Sequence, residues 1–204
     1  MIDEGISVET LQKYQIGYYD RLQQTTIPCF GRNGELYGIR CRNWNPDRIE
    51  QAKYIPLTLL NGTTYSFPTN KLFYGINYNW ASIEKEKEVW LGESEKFVLK
   101  LDSFYGENNL ALAMFGKNLG IERRNELVKM GVKKVIYVPD NDYNGEEEQI
   151  EWEKSIINFA KLFKGYCEVE IVYDNLGLLN EKDNATDKDF ETWEKLYDSR
   201  ERIK

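Results

Sequence analysis

After a charged run at residues 84–88, short apolar runs alternate with amphipathic stretches, and this alternation restricts the fold more than any other feature of the chain. Residues 89–92, 110–115, 134–138 and 169–173 have the length and apolar content of buried strands. Residues 95–105, 122–130 and 146–163 carry apolar side chains in helical patterns, among them Ile150, Ile156, Ile157 and Phe159. Strand-helix-strand repetition requires parallel strands joined by helical crossovers, so an α/β fold with a mainly parallel sheet and flanking helices is expected.

The pattern before that run is different. Residues 8–14 read as a short helix, and residues 27–30 and 35–42 as a hairpin whose turn is signalled by Asn33-Gly34. Residues 44–69 show no periodicity and are expected to be a loop draped on the hairpin, followed by a connecting segment at 71–77. A polar helix is expected from 187 to 204. These readings divide the chain into a smaller α+β unit at 1–84 and the α/β unit with its C-terminal helix at 85–204.

Length leaves room for one large domain or two small ones, and 41% apolar with 14% aromatic residues argues against disorder. No window approaches 18 consecutive apolar residues, and the N-terminus lacks a basic region followed by an apolar one. A soluble cytoplasmic protein, with no membrane partner, is expected. The absence of histidine excludes Ser-His-Asp and Cys-His nucleophile systems and every His-ligated zinc hydrolase. Cys29, Cys41 and Cys167 are too scattered for a zinc site and are expected to be reduced, partly buried thiols.

Charge is distributed unevenly. Residues 1–80 hold eight Lys or Arg against seven Asp or Glu, so the remainder of the chain carries −8 of a total of −7. That acidic total opposes broad, nonspecific coating of DNA, because phosphate affinity scales with the cations that displace counterions. A local cationic groove in the first third and an acidic metal-dependent site in the rest both remain compatible with it.

Ligand sites of open parallel sheets lie beyond the carboxyl ends of the strands. Glu93 follows the first apolar run, Asp140-Asn141-Asp142 follows the third, and Asp183 and Asp187 follow the fourth after a loop. Carboxylates gathered from several strand ends form an oxygen-rich site suited to Mg²⁺ or Mn²⁺. Each acid taken singly is as readily explained as a helix N-cap or a loop solvator. Gly116, before Lys117, is a position where backbone could approach a phosphate, and Gly145 closes the acidic loop before a helix.

Gly92-Glu93-Ser94-Glu95-Lys96, residues 113–119 and residues 140–145 resemble the successive motifs of a TOPRIM domain, the metal-binding fold shared by DnaG-type primases and topoisomerases. Ile16-Gly17-Tyr18, Ile27-Pro28, residues 38–42 and Phe73-Tyr74-Gly75 resemble, in order and spacing, the catalytic core of DnaG-type primases, especially those of bacteriophages. The resemblance covers about residues 5–190. It implies a DNA-directed RNA polymerase that makes RNA primers for DNA replication, with single-stranded DNA template, ribonucleoside triphosphates and a replicative helicase as partners.

The same resemblance implies Glu93, Asp140 and Asp142 as catalytic metal ligands, with Asp183 as a further ligand. Arg42, on the hairpin, is implied as the basic residue facing template or nucleotide; Arg40, an adjacent cation that the pattern does not require, Lys71, Gly116 and Lys117 are expected as further contacts to nucleic acid or nucleotide. Aromatic residues such as Tyr74 and Trp44 are expected to pack in the core. The chain departs from the pattern at Ser94, Phe97 and Thr69, where many relatives have Gly, Asp and Lys, and Lys71 stands two places after Thr69. No zinc-binding module and no helicase phosphate loop is recognisable, so a core cut from a larger phage replication protein is expected. A TOPRIM nuclease and an inactive binding module are the alternative readings.

Overall fold

The computed structural model describes residues 1–50, 52–143 and 145–203, so Asn144 of the acidic loop and Lys204 at the basic end lie outside the described residues. The expected hairpin, β2 (Gln24–Phe30) and β3 (Leu36–Asn43), is the centre of a four-stranded antiparallel sheet flanked by β1 (Gly17–Tyr19) and β4 (Tyr54–Pro56). Register places Thr25, Ile27 and Cys29 opposite Arg42, Arg40 and Gly38. Because side chains alternate along a strand, both arginines share the face of buried Ile27 and turn toward the second half of the molecule.

That second half is a five-stranded sheet ordered β6-β5-β7-β8-β9. Strands β5 (Glu88–Gly92), β6 (Ala111–Ala113), β7 (Lys134–Tyr137) and β8 (Glu168–Ile171) are parallel, and β9 (Glu201–Arg202) is antiparallel to β8. Helices α4 (Glu95–Tyr105), α5 (Ile121–Lys129) and α6 (Glu146–Phe163) make the crossovers. The mixed α/β architecture implied by strand-helix alternation is therefore present, with the α+β portion ahead of it.

Two sets of contacts join the halves. Helix α1 (Val8–Lys13), capped by the Ser7 hydroxyl, docks on α4, where Thr10 donates to Asp102 at 2.8 Å. Tyr74 pairs with Ala113 at the edge of β6, and Tyr14, Ile27, Phe73 and Tyr74 enter one core with Leu91, Phe97 and Val135. Tyr74 is core, as expected, whereas Trp44 is 37% exposed and carries the Arg42 guanidinium over its ring. Cys29 and Cys41 are buried and Cys167 half-buried, all three as free thiols.

Several expected elements need correction. Residues 44–69 are not all loop: α2 (Pro46–Ile49) and β4 lie within them, and β4 pairs with Arg40, Cys41 and Arg42. Residues 71–77 do not merely connect, because α3 (Ile76–Glu86) starts there and buries Ile76, Asn79 and Ile83. Gly75 permits this start, since its φ of 88° is left-handed and an added Cβ would meet Val98 at 2.8 Å. The C-terminal polar helix is shorter than 187–204: α7 (Phe190–Asp198) buries Trp193 and Leu196, and the chain returns as β9. On α6, Ile156 and Phe159 face the core, but Ile150 and Ile157 are exposed. Among the described residues no helix is long and apolar enough to cross a membrane.

Candidate active site

Parallel pairing of β5 with β7 brings their carboxyl ends side by side, so Glu93 and Asp140 emerge from adjacent strands. The turn at Glu93 is set by close packing. An added Cβ on Gly92 would meet the Phe97 ring at 2.4 Å, and the Gly116 amide donates to the Glu93 carbonyl at 2.9 Å. Phe97, where relatives have Asp, is a core residue that braces this turn. The Gly116 amide is thus engaged in holding Glu93, while Gly116 itself lines the cavity described below.

Asp140 is positioned from a different part of the chain. Buried Asn184 donates through Nδ2 to the Val138 carbonyl at 3.1 Å and to Asp140 Oδ1 at 3.0 Å, while its own Oδ1 accepts from Thr186 N and Oγ1. Backbone bonds between Asn141 and Asp183, and between Lys182 and Asn141, hold the late acidic segment against the β7 loop. The capping explanation for Asp140 does not hold. Helix α6 begins after Gly145 with no side-chain cap bond.

Glu93 and Asp140 open onto a cavity of about 300 Å³ that Asp187 also lines, and Arg40, Lys53, Lys96 and Lys182 contribute cations to its wall. Arg40 lies 2.9 Å from Glu95 Oε1, with its guanidinium over the rings of Tyr54 and Phe115. Lys96 bridges Glu4 at 3.2 Å and Asp187 at 2.8 Å. The cavity therefore combines anionic and cationic walls, an arrangement able to take a polyanion together with a cation.

The remaining predicted residues are dispersed. Asp142 pairs with Lys117 beside Glu93, and neither lines the cavity. Asp183 is turned away: its carboxylate accepts from Asn180 N and Nδ2 and pairs with Lys188 at 2.7 Å, so Asp187 is the member of that segment at the cavity. Lys71 is exposed in a 3-10 turn away from the cavity. Arg42 is not an exposed hairpin cation. Both its Nη atoms donate to the Glu4 carboxylate, at 3.1 and 3.0 Å, and its side chain is 11% exposed. Burial opposes the Glu4 charge, but Arg42 and Lys96 prevail and bring its pKa to about 2. Lys53, Glu95, Lys96 and Asn184 are the site residues that sequence reasoning did not select.

Burial, followed by repulsion from Asp140 and Asp142, pushes Glu93 up to about 7 against the opposing attraction of Lys117. Burial also raises Asp140, against the Asn184 hydrogen bond that favours its charge. Between pH 4.5 and 7 the folded chain accordingly holds a proton on Glu93 that the unfolded chain has released, so stability falls as pH rises through this window. The expected loss is of the order of 2–3 kcal/mol without divalent cation. No histidine titrates over the same range. Urea midpoints measured in chelator at three pH values should decline for the parent and decline less steeply for Glu93→Gln, because Asp140, which burial also raises, still titrates; an equal slope in both would refute this source of pH dependence.

The donor set is entirely oxygen, which suits Mg²⁺ or Mn²⁺ and not soft metals. Among the described residues no three such side chains already converge as a metal cluster, because Asp142 is drawn to Lys117 and Asp140 to Asn184. The mutual repulsion of Glu93, Asp140 and Asp142 fits a hard divalent cation that would offset it.

A smaller antiparallel sheet carrying cations, set against a mainly parallel sheet with carboxylates at its strand ends, defines a two-part α/β core. The chain has the fold of DnaG-type primase catalytic cores. The Aquifex aeolicus primase, comprising zinc-binding and RNA polymerase domains, superposes with a TM-score of 0.73 at 20% identity, covering 98% of this chain and 55% of that one. A DnaG primase catalytic domain bound to single-stranded DNA gives 0.66 at 14% identity, covering 98% and 70%. In sequence, the chain is 37% identical over 207 residues to the uncharacterized SPbeta prophage-derived protein YorJ of Bacillus subtilis, covering 96% of this chain and 54% of that protein. It is 30% identical over 157 residues to the DNA primase of Chlamydia muridarum, covering 74% and 24%. The chain thus spans about half of the first protein and about a quarter of the second. No family model matches the sequence.

Proposed function

We propose that this chain is a primase catalytic core with a TOPRIM unit at 85–204, which joins ribonucleotides into primers on single-stranded DNA. The observation that carries the reading is the cavity itself, where Glu93 and Asp140 from adjacent parallel strands meet Arg40 and Lys53 of the antiparallel sheet. The relative solved with single-stranded DNA supports such a strand as the template.

In this reading residues 1–84 supply Arg40 and Lys53 to the cationic wall, and residues 85–204 supply the acids together with Lys96 and Lys182. Glu93, Asp140 and Asp142 would hold Mg²⁺ or Mn²⁺, with Asp187 favoured over Asp183 by its place at the cavity. Bound there, the metal would lower the pKa of a primer 3′-hydroxyl and neutralise triphosphate charge. Arg40 and Lys53 orient the triphosphate, and the Asn184 hydrogen bond favours the charged form of Asp140 and fixes its orientation. The 3′-hydroxyl gives its proton to solvent as its oxygen bonds to the α-phosphorus; the bond from that phosphorus to the bridging oxygen breaks, and pyrophosphate leaves along the cationic wall.

Incubating the chain with single-stranded template, ribonucleoside triphosphates and Mn²⁺ tests this directly. Template-dependent extension is expected and should stop when chelator is added. Degradation of the strand would favour a TOPRIM nuclease, and binding without turnover an inactive module.

A further inference from the structure

We infer that the outer face of α6 is a dimerisation surface on which a second copy of this chain packs antiparallel about a twofold axis between Glu153 and Lys154. Helix α6 is 18 residues long, about 27 Å at the usual rise, and Ile156, Phe159 and Phe163 fix its inner face on the sheet. Its outward face reads Glu146, Ile150, the adjacent Glu153 and Lys154, Ile157 and Lys161, all exposed, with successive turns three or four residues apart. Ile150 and Ile157 are 50% and 48% exposed, an unusual state for two isoleucines two turns apart on one stripe.

The stripe is self-complementary in one orientation. With the two helices antiparallel, Ile150 of each copy lies level with Ile157 of the other, Glu153 with Lys154, and Glu146 with Lys161. Every level then pairs apolar with apolar or acid with base. A parallel arrangement would set each charge against its like. Among the described residues, Lys154, Lys161 and Lys164 form no salt bridge within the chain, although the protein as a whole is acidic.

A groove continues the same surface. Ile157, Ala160, Val169 and Ile203 line a cavity of about 440 Å³ whose rim carries Lys161, Lys164 and Arg202. The acidic first turn of the partner's α6, with Glu146 and Glu147, would approach that basic rim. Charge complementarity thus extends beyond the helix pair, while the apolar seam of four isoleucines is small. Such an interface belongs at the weak end of the range, with a dissociation constant on the order of 10–100 μM.

Sedimentation velocity of the full chain across about 1–500 μM should show a monomer–dimer equilibrium that weakens as salt rises. Ile157→Asp and Lys161→Glu should each raise the dissociation constant about tenfold or more, with unchanged circular dichroism because both positions are exposed. Adding Glu146→Lys to Lys161→Glu should restore dimerisation, since in a twofold pair the swapped charges face each other again. A parent that stays monomeric at about 500 μM in low salt overturns the inference and leaves the face to another protein. A dimer indifferent to Ile157→Asp and to the charge swap overturns it equally, by placing the interface elsewhere.

Discussion

Asp140→Asn should leave a folded protein that no longer extends primers, with ribonucleotide incorporation reduced by about three orders of magnitude or more. The substitution keeps shape and keeps an acceptor for Asn184 Nδ2, so the bond that orients position 140 survives. What it removes is one of three mutually repelling carboxylates. Burial already opposes the Asp140 charge, and Asp142 adds to that opposition, so removing the charge should raise stability slightly in chelator. The stabilisation that Mn²⁺ gives the parent should be lost at the same time, because it depends on preferential binding to the native state.

Measured together, urea midpoints with and without Mn²⁺ and template-dependent incorporation separate the two possible roles. A structural acid would lower the midpoint and leave incorporation intact. A metal-holding acid leaves the midpoint in chelator level or higher and abolishes both activity and metal-dependent stabilisation. Normal incorporation by stably folded Asp140→Asn would end the assignment.

What could be read before the structure follows from where the information lies. Strands β5 and β7 are short apolar runs, and α4 and α6 carry amphipathic patterns, so local sequence suffices to place Glu93 and Asp140 at strand ends. Helix α3 escaped because Asn77, Tyr78, Asn79 and Trp80 are weak helix formers, and the segment is held instead by tertiary contacts such as Asn79 Nδ2 to the Ala111 carbonyl at 2.8 Å. Strand β4 is three residues long and ends in Pro56, which leaves almost no periodicity to detect.

The site residues divide in the same way. Arg42 and Arg40 are two positions apart on one strand face and look equivalent in sequence, yet Glu4, 38 residues earlier, captures one of them and the other reaches the cavity. Asp183 and Asp187 are separated by their partners: Lys188 and Asn180 hold the first, Lys96 and the Asn184 backbone amide the second. Asn184 would have required knowing that its amide returns to β7 across 44 residues. The Arg42–Glu4, Lys96–Asp187 and Asn184–Asp140 pairings are long-range, and spacing along the chain does not encode them.

Arg40→Met should destabilise the fold by about 3–5 kcal/mol, because it leaves the Glu95 carboxylate buried without its counter-charge. Glu95 has a side-chain exposure of 1%, and its carboxyl is held above its usual range by burial, against the attraction of Arg40. The 2.9 Å approach lacks hydrogen-bonding geometry and leaves both atoms without a hydrogen-bond partner. Such a pair is a poor source of stability: the double variant Arg40→Met with Glu95→Leu should recover most of the loss, as apolar replacements of buried ion pairs commonly do. Retaining the pair therefore calls for a function, and the cavity supplies one, because Glu95 fixes a guanidinium that lies over the Tyr54 and Phe115 rings at the cavity wall that Glu93 shares. The double variant should be folded and bind Mn²⁺ like the parent, while its KM for ribonucleoside triphosphate rises by about tenfold or more. Urea midpoints of the single and double variants, with calorimetric Mn²⁺ affinity and triphosphate KM on the same samples, test each step. A double variant with parental KM would make Arg40 a packing residue, and a single variant of parental stability would show that Glu95 is neutral in the folded chain.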